Sequence, residues 1–252
     1  MTLRPFWRYF GGKWRAAPRY PAPRYGTIIE PFAGAAGYSL RYPDRRVILV
    51  EKYPVVAGIW RYLIATPAAE LMRIPTVDHV DDLPAWVPQE ARWLVGMRLA
   101  AGDTRPRAKL SPMVRRDGGY GAAEIANQVE HIRHWHVIEG DYTAAPDEEA
   151  TWFVDSPYQV AGSRAARSER GRVRYPHGGD ALDFDALGAW CGARRGQAIV
   201  CENVGATWLP FRPLGSWSSV GDRVSREAVW LSDADLEPSE APGDPQQPPR
   251  EA

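Results

Sequence analysis

Ile28-Ile-Glu-Pro-Phe-Ala-Gly-Ala-Ala-Gly-Tyr38 is the stretch of sequence that decides the fold. A short apolar strand over residues 27–30 runs into a glycine- and alanine-rich turn, and a helix is predicted to begin at Gly37. A second buried strand follows at residues 46–51, and residues 55–64 have the spacing of a helix. The order strand, helix, strand, helix is typical of an α/β fold with a parallel sheet.

One α/β domain with an insertion fits the 252 residues better than two small domains do. Residues 1–64 and 136–231 form the predicted core, and the proline-interrupted region between them, residues 65–135, is a predicted insert. Within these parts the apolar pattern predicts helices at 122–135 and 182–191, strands at 135–138, 150–154, 197–202 and 226–231, and a loop rich in tryptophan and proline before the last strand.

The charges of the chain are divided unevenly, although lysines plus arginines and aspartates plus glutamates number 31 each. Residues 232–252 contain six acidic residues and one basic residue, a net charge of −5, which leaves +5 for residues 1–231. This C-terminal stretch is rich in proline and has almost no apolar residues, so it cannot offset the entropy lost on ordering. We therefore expect a disordered tail at 232–252.

The two cysteines, Cys191 and Cys201, lie in apolar surroundings without a CxxC pattern or nearby histidine spacing. Buried thiols are expected here rather than a metal site or a disulfide, which fits a reducing cytoplasm. No apolar run reaches membrane-spanning length and the N-terminus lacks a signal-like apolar stretch, so neither membrane insertion nor secretion is indicated.

The glycine turn predicts a cofactor pocket. Gly34-x-x-Gly37 after a strand suits a dinucleotide or an adenosyl group, or is only a tight connection between strand and helix. The first glycine of GxGxxG, the pattern that brings a helix N-terminus to a pyrophosphate, is missing here, so a cofactor without phosphate is favoured. Glu51, which ends the second strand about twenty residues further on, is positioned to accept hydrogen bonds from ribose hydroxyls. A solvated acid at a strand end is the alternative interpretation of Glu51.

A second motif, Asp155-Ser-Pro-Tyr158, follows the apolar strand at residues 150–154. A carboxylate and an aromatic ring on either side of a proline-stiffened turn can hold a planar exocyclic amine between hydrogen bonds and a stacking face. The structural alternatives are a helix N-cap for Asp155 and a partly buried core aromatic residue for Tyr158.

Together with Tyr9-Phe-Gly-Gly-Lys13, these motifs resemble those of the Dam-like N6-adenine DNA methyltransferases, particularly the compact phage-encoded forms. The resemblance covers residues 6–64 and 136–231 and implies a Rossmann-like methyltransferase sheet that binds S-adenosyl-L-methionine. It implies that Lys13 holds the carboxylate of this cofactor and that Asp141 lies near its adenine. The cofactor-binding residues expected in this way are Tyr9, Lys13, Glu30, Pro31, Phe32, Ala33, Gly34, Gly37, Glu51, Asp141 and Asp155.

The catalytic residues expected from the resemblance are Asp155, Ser156, Pro157 and Tyr158. The exocyclic nitrogen of adenine is a poor nucleophile because its lone pair is delocalised into the ring. Asp155 and the carbonyl of Ser156 would accept the two amino protons and favour in-line attack on the methyl group, while Tyr158 stacks on the flipped base. Neither a metal nor a covalent enzyme intermediate is expected. Ser156 departs from the family's proline at this position, but serine supplies the same carbonyl.

Two arginine-rich segments, residues 105–116 and 164–174, each contain five basic residues and predict contacts with the phosphates of duplex DNA, although ordinary solvated loops are the alternative. Tyr175 and His177 close the second segment and are candidates to wedge or stack during base flipping. The protein is expected to act as a monomer. The expected DNA-binding residues are Arg105, Arg107, Lys109, Arg115, Arg116, Arg164, Arg167, Arg172 and Arg174.

Two other functions stay open at this point. The same turn, with a serine in it, suits the amine of cytosine, which would make the chain an N4-cytosine methyltransferase. A catalytically inert nucleic-acid-binding module with the same fold is the second alternative, but such a module need not retain Lys13, Glu51 and Asp155 together. The role in a host, self-protection of a genome as in restriction-modification or regulation, is also open.

Overall fold

A seven-stranded, mostly parallel sheet organises the part of the chain that the computed structural model describes, residues 2–116, 121–159, 182–219 and 223–232. The strand order is β3-β2-β1-β4-β5-β7-β6. The first five strands in this order are parallel, and β7 runs antiparallel to both of its neighbours. The strands are β1 (Thr27–Glu30), β2 (Arg46–Glu51), β3 (His136–Glu139), β4 (Ala150–Val154), β5 (Gly196–Asn203), β6 (Arg212–Ser219) and β7 (Arg223–Leu231).

The helices in the described ranges are short except for two. They are α1 (Pro54–Ala65), α2 (Ala68–Met72), α3 (Gln89–Leu99), α4 (Pro112–Arg116), α5 (Ala122–Ala126) and α6 (Phe184–Gly192). Single 3₁₀ turns occur at Ala17–Arg19, Ser39–Arg41, Val80–Asp82, Val129–Ile132 and Tyr142–Ala144. The mixed α/β class and the parallel sheet predicted from the sequence are confirmed, and the arrangement is compatible with a Rossmann-like fold. None of the described helices is both long enough and apolar enough to cross a membrane.

The helix predicted to begin at Gly37 is instead one 3₁₀ turn, Ser39–Arg41. Pro43 explains the early end, because the helical region is disfavoured for the residue before a proline, and Tyr42 has φ −131° and ψ 53°. The predicted helix at 122–135 is likewise divided into α5 and a 3₁₀ turn. Strand β6 was missed, since its sequence reads as a loop.

The sheet has one apolar cluster on each face. Strand β4 is buried along its whole length, as a central parallel strand must be when both faces are covered. Phe153 points to one face and stacks on Tyr38, with ring centroids 4.2 Å apart, while Trp152 points to the other face and meets Trp190 edge to face. Because burying such a side chain contributes roughly 2 kcal/mol, β4 is a firm base for the residues that follow it.

The predicted insert shares its core with the sheet. Leu94 and Val95 of α3 and Ile132 are buried in the same cluster as Ile28 and Leu49 of the central strands. The described residues of this region, 65–116 and 121–135, therefore pack against one face of the sheet through their apolar side chains. Of the predicted tail, only Ser232 falls within the described residues, and the second arginine-rich segment with Tyr175 and His177 lies outside them.

Candidate active site

The strand order reverses between β1 and β4, and this reversal positions the site. The chain leaves β1 toward β2 on one side of the sheet, whereas β4 lies on the other side of β1. In open α/β sheets the connections diverge at such a point, and a crevice forms beyond the carboxyl ends of the strands. Here the crevice is a cavity of about 340 Å³, whose wall includes Glu30 at the end of β1 and Asp155 directly after β4.

All eleven cofactor residues expected from the sequence line this cavity, as does Pro157 of the expected catalytic turn. The motifs at residues 9–13, 30–37, 51, 141 and 155 are far apart in the chain and meet at one place. The sequence reasoning missed further lining residues, most of which are direct neighbours of a motif. The missed residues are Phe10, Gly11, Gly12, Ala35, Lys52, Tyr53, Tyr142, Phe153, Leu182 and Asp183.

The two glycines of the turn allow two loops to pack closely, with Gly34 against the ring of Tyr9 and Gly37 against the backbone of Lys13 and Trp14. Gly34 has φ +45°, and a Cβ placed on it would lie 3.0 Å from the ring of Tyr9. A Cβ on Gly37 would lie 2.6 Å from the backbone nitrogen of Trp14 and 3.0 Å from that of Lys13. Real Cβ atoms do not approach so closely, so this spacing of glycines joins the glycine turn to the Gly-Gly-Lys loop. That contact sets the position of Lys13 relative to the turn.

Glu51 at the end of β2 organises the turn from the opposite side. Its carboxylate accepts hydrogen bonds from the backbone N–H groups of Gly34, at 2.9 Å, and Tyr53, at 2.8 Å. Burial raises the pKa of Glu51, and these hydrogen bonds oppose the rise. Each bond uses a different oxygen, and a carboxylate oxygen accepts more than one hydrogen bond, so Glu51 retains acceptor capacity toward the cavity.

Glu30 is a second acid in the cavity wall and is almost fully buried. Its Oε1 accepts a hydrogen bond from the backbone N–H of Ser39 at 2.7 Å. Burial raises the pKa of Glu30 to about 8, against the lowering effect of its hydrogen bonding to Ser39. Glu30 therefore holds the turn and its following 3₁₀ turn together, and it changes charge near neutral pH.

Lys13 and Asp155 form a buried ion pair with Nζ 2.8 Å from Oδ1. Nζ also donates to the carbonyl of Gly11 at 3.0 Å and lies 4.7 Å from the centre of the Tyr158 ring. Burial alone would lower the pKa of Lys13, but the charges of Asp155 and Glu227 outweigh it and raise that pKa above its ordinary value. Burial raises the pKa of Asp155, and the ammonium of Lys13 opposes this rise. Lys13 thus stays charged, and its charge favours the carboxylate form of Asp155.

Glu227 on β7 is a site residue that the sequence reasoning missed. It is 6% exposed, and its Oε2 accepts hydrogen bonds from the hydroxyls of Tyr158, at 2.6 Å, and Tyr20, at 3.3 Å. Tyr158 is 69 residues away in the chain and Tyr20 is 207 residues away. No local pattern around Glu227 indicates this contact, because the antiparallel strand brings it there.

Ser156 turns its side chain away from the cavity. The residue is 3% exposed, it is not part of the cavity wall, and its Oγ has no hydrogen-bond partner among the described atoms. The side chain that departs from the family's proline is therefore not placed to bind a ligand in this cavity.

The outer end of the cavity has both polar and aromatic groups. Asp141 forms an ion pair with Lys52, with Oδ2 and Nζ 2.8 Å apart. Next to them the rings of Phe32 and Tyr142 are stacked, with centroids 5.5 Å apart. A flat heterocycle with a hydrogen-bond donor at its edge suits this combination of aromatic surface and carboxylate.

The five basic residues of the first arginine-rich segment are exposed, but two of them have acidic partners. Arg107 forms an ion pair with Asp103 at 3.0 Å, and Arg115 forms one with Asp78. Arg105 acts on Tyr53, a cavity residue whose pKa is raised by burial and lowered in part by the Arg105 charge. The exposed basic residues of this segment are Arg105, Arg107, Lys109, Arg115 and Arg116. The expected contacts at Arg164, Arg167, Arg172 and Arg174 lie outside the described residues.

In the described part of the chain, no group of three or more His, Cys, Asp or Glu side chains has the geometry to hold a metal ion. Cys191 and Cys201 are buried free thiols. A comparison with protein-family models found no match, and a comparison with curated proteins found no significant relative. The function is therefore inferred from the geometry of the site.

Proposed function

We propose that this protein is a DNA methyltransferase that transfers a methyl group from S-adenosyl-L-methionine to the exocyclic N6 of an adenine flipped out of duplex DNA. One observation carries the proposal: a single cavity at the switch point of the sheet is lined by the Gly-Gly-Lys loop, the glycine turn, Glu51 and the Asp155 turn. The sheet is compatible with the proposal, because its mostly parallel strands form a Rossmann-like arrangement with the cavity at the switch point.

The cavity walls fit the parts of S-adenosyl-L-methionine in order. A volume of about 340 Å³ is within the range of small-molecule sites. Asp141 with the stacked Phe32 and Tyr142 suits the adenine, and Glu51 suits the two ribose hydroxyls. Lys13 at the inner end would hold the carboxylate of the amino-acid part. When bound, the cofactor supplies an activated methyl group on its sulfonium.

Asp155 is the residue that would bind the amine of the target base. Lys13 contacts its Oδ1. Oδ2 would accept one amino proton, and the backbone carbonyl of Ser156, the next residue in the turn, would accept the other. Both bonds draw the nitrogen lone pair out of the ring and direct it toward the methyl group. The positive charge of Lys13 opposes the rise that burial causes in the pKa of Asp155 and so favours the carboxylate form, which this role requires.

The geometry of the site also bears on the two alternative functions. The cytosine alternative depended on a serine in the turn, and the hydroxyl of Ser156 is buried away from the cavity. An inert binding module has no need for an ion pair between a lysine and the acid at the carboxyl end of β4. The exposed basic segment at residues 105–116 supports duplex DNA as the partner through its phosphates.

Nucleoside mass spectrometry of DNA from a methylation-deficient host expressing the protein tests this proposal without knowledge of the target sequence. We expect N6-methyladenine with the wild type and none with Asp155→Asn, which keeps the shape of the side chain. Calorimetry with the product S-adenosylhomocysteine should show a smaller loss of affinity than of methylation, because Asp155 acts chiefly on the base. Appearance of 4-methylcytosine alone would establish the cytosine alternative, and failure to bind the cofactor would leave the inert module.

A further inference from the structure

Glu227 lies outside the cavity wall, yet it touches the residues that the proposed reaction uses. It accepts the hydroxyl of Tyr158 at 2.6 Å, and its charge acts on both Lys13 and Asp155. A buried carboxylate is costly unless it is paired and hydrogen-bonded. Glu227, which is only 6% exposed, is therefore stabilised in its buried position by these residues, and it in turn fixes their positions.

We propose that Glu227 is a positioning residue for methyl transfer, which holds the Tyr158 ring by its hydroxyl and shares the charge of Lys13 with Asp155. The inference rests on the proposed function. The inference adds to the proposed function a residue from the antiparallel strand β7, which lies on the opposite side of the Asp155 turn from the cofactor motifs.

The hydrogen bond fixes where the ring lies. Rotation about χ1 moves the hydroxyl of a tyrosine by several ångströms, so an anchored hydroxyl fixes the direction of the ring axis, whereas rotation about χ2 changes the ring plane and leaves the hydroxyl in place. Lys13 Nζ lies 4.7 Å from the ring centroid, which fixes the ring from a second direction. A ring held in this way is ready to stack on a flipped base without loss of rotamer freedom when the base arrives.

The charge of Glu227 acts on the carboxylate that would bind the amine. Titratable groups from several elements interact electrostatically with Asp155. They are Lys13 from the N-terminal loop, Glu30 at the end of β1, Tyr158 from its own turn, Glu227 from β7, and the neighbouring Tyr20 and Cys201. A negative neighbour makes a carboxylate a stronger acceptor, and a positive neighbour makes it a weaker one. Glu227 thus offsets part of the effect of Lys13 on Asp155.

Single-turnover methylation from pH 4.5 to 9 with Glu227→Gln tests the inference. Glutamine retains the shape and can still accept from Tyr158, but it has no charge. The loss of a charge-assisted hydrogen bond should slow methyl transfer about 10- to 100-fold while cofactor affinity changes less than about twofold. The acid limb of the rate profile should move to lower pH, because the negative charge that raises the pKa of Asp155 is gone.

Glu202→Gln is the matched control. Glu202 is a fully buried acid on the neighbouring strand β5, and it accepts from the backbone N–H of Gln159 and from Trp208 rather than from Tyr158. Its replacement should leave the acid limb where it is in the wild type, whatever its effect on stability. If the role of Glu227 were purely structural, Glu227→Gln would likewise leave the acid limb of the rate profile at its wild-type pH.

Tyr158→Phe removes the hydrogen bond that Glu227→Gln weakens, and it serves if Glu227→Gln does not fold. Because both changes act on one contact, the double variant should be at most about threefold slower than the slower single variant. Losses that multiply, or a Glu227→Gln variant with the wild-type rate and acid limb, would overturn the inference alone. A wild-type protein that methylates no base would overturn the proposed function, and the inference with it.

Discussion

Replacing Lys13 by methionine removes one charge from the buried pair while keeping most of the side-chain volume. The Lys13 side chain is 8% exposed and that of Asp155 is 21% exposed, so the remaining carboxylate stays largely out of water. Loss of one partner of a buried pair typically costs about 3–5 kcal/mol. The partial exposure of Asp155 places the expected loss in the free energy of unfolding near the lower end, about 3 kcal/mol.

The pH dependence of this loss has a definite sign. The folded-state pKa of Lys13 is raised, so its stabilising effect is complete below the unfolded pKa and is lost only as pH rises through the higher folded value. In Lys13→Met the pKa of Asp155 rises further, because its positive neighbour is gone. The folded variant then binds more protons than the unfolded chain, and its stability falls as pH rises from about 4. The gap to wild type should therefore be small near pH 4 and largest above pH 7.

Urea unfolding followed by tryptophan fluorescence measures this gap, with Lys52→Met as the control. Lys52 and Asp141 form a pair of the same length, but the two side chains are 55% and 37% exposed, so its loss should cost at most about 1 kcal/mol. Equal losses for Lys13→Met and Lys52→Met, or a gap that does not grow with pH, would refute the reasoning. Adding Asp155→Asn to Lys13→Met should recover part of the stability.

Three further outcomes are expected. Gly37→Ala should destabilise the protein by about 1–3 kcal/mol in thermal melting and weaken cofactor binding, because its Cβ would overlap the Gly-Gly-Lys loop, whereas Gly192→Ala, with open space around its Cβ, should do neither. Because burial raises the pKa of Glu30, the stability of the wild type should fall as pH rises from 4.5 to about 8, and Glu30→Gln should remove this contribution to the fall. Identical urea unfolding profiles of the two proteins from pH 5 to 9 would contradict this. Arg105→Ala should reduce the salt dependence of DNA binding by about 0.9 in log–log slope, and Arg107→Ala by less because Arg107 already pairs with an acid.

The cavity wall made by residues 9–13, 30–37, 51, 141 and 155 was predictable because each of its parts belongs to a short motif or a strand end. The spacing of Gly34 and Gly37 is visible in the sequence, and the strand ends that place Glu51 and Asp155 follow from apolar runs. Residues within such motifs lie where the carboxyl ends of parallel strands meet. The activity and partners inferred from the same motifs stay predictions.

The other side of the site was not predictable, for two physical reasons. Strand β6 contains Pro213 and Gly215, which oppose strand formation in a central position but are tolerated here, because β6 is the edge strand of the sheet. Glu227 was missed because burial of an acid is decided by partners that lie far away in the chain. The predicted helix after Gly37 was wrong because Pro43 allows only one turn of 3₁₀ helix.

The hydrogen bond between Tyr158 and Glu227 also has a consequence for the order of folding. The motifs that line the cavity all precede residue 184, whereas Glu227 belongs to a strand synthesised about 70 residues after the catalytic turn. Contacts of such sequence separation form late, since loop closure must come first. A nascent chain that has released the first five strands from the ribosome would have the cavity walls but would lack the Glu227 carboxylate that anchors the Tyr158 hydroxyl. On this reasoning, the anchor of Tyr158 forms only when β7 pairs with β5, as the last step in assembling the site.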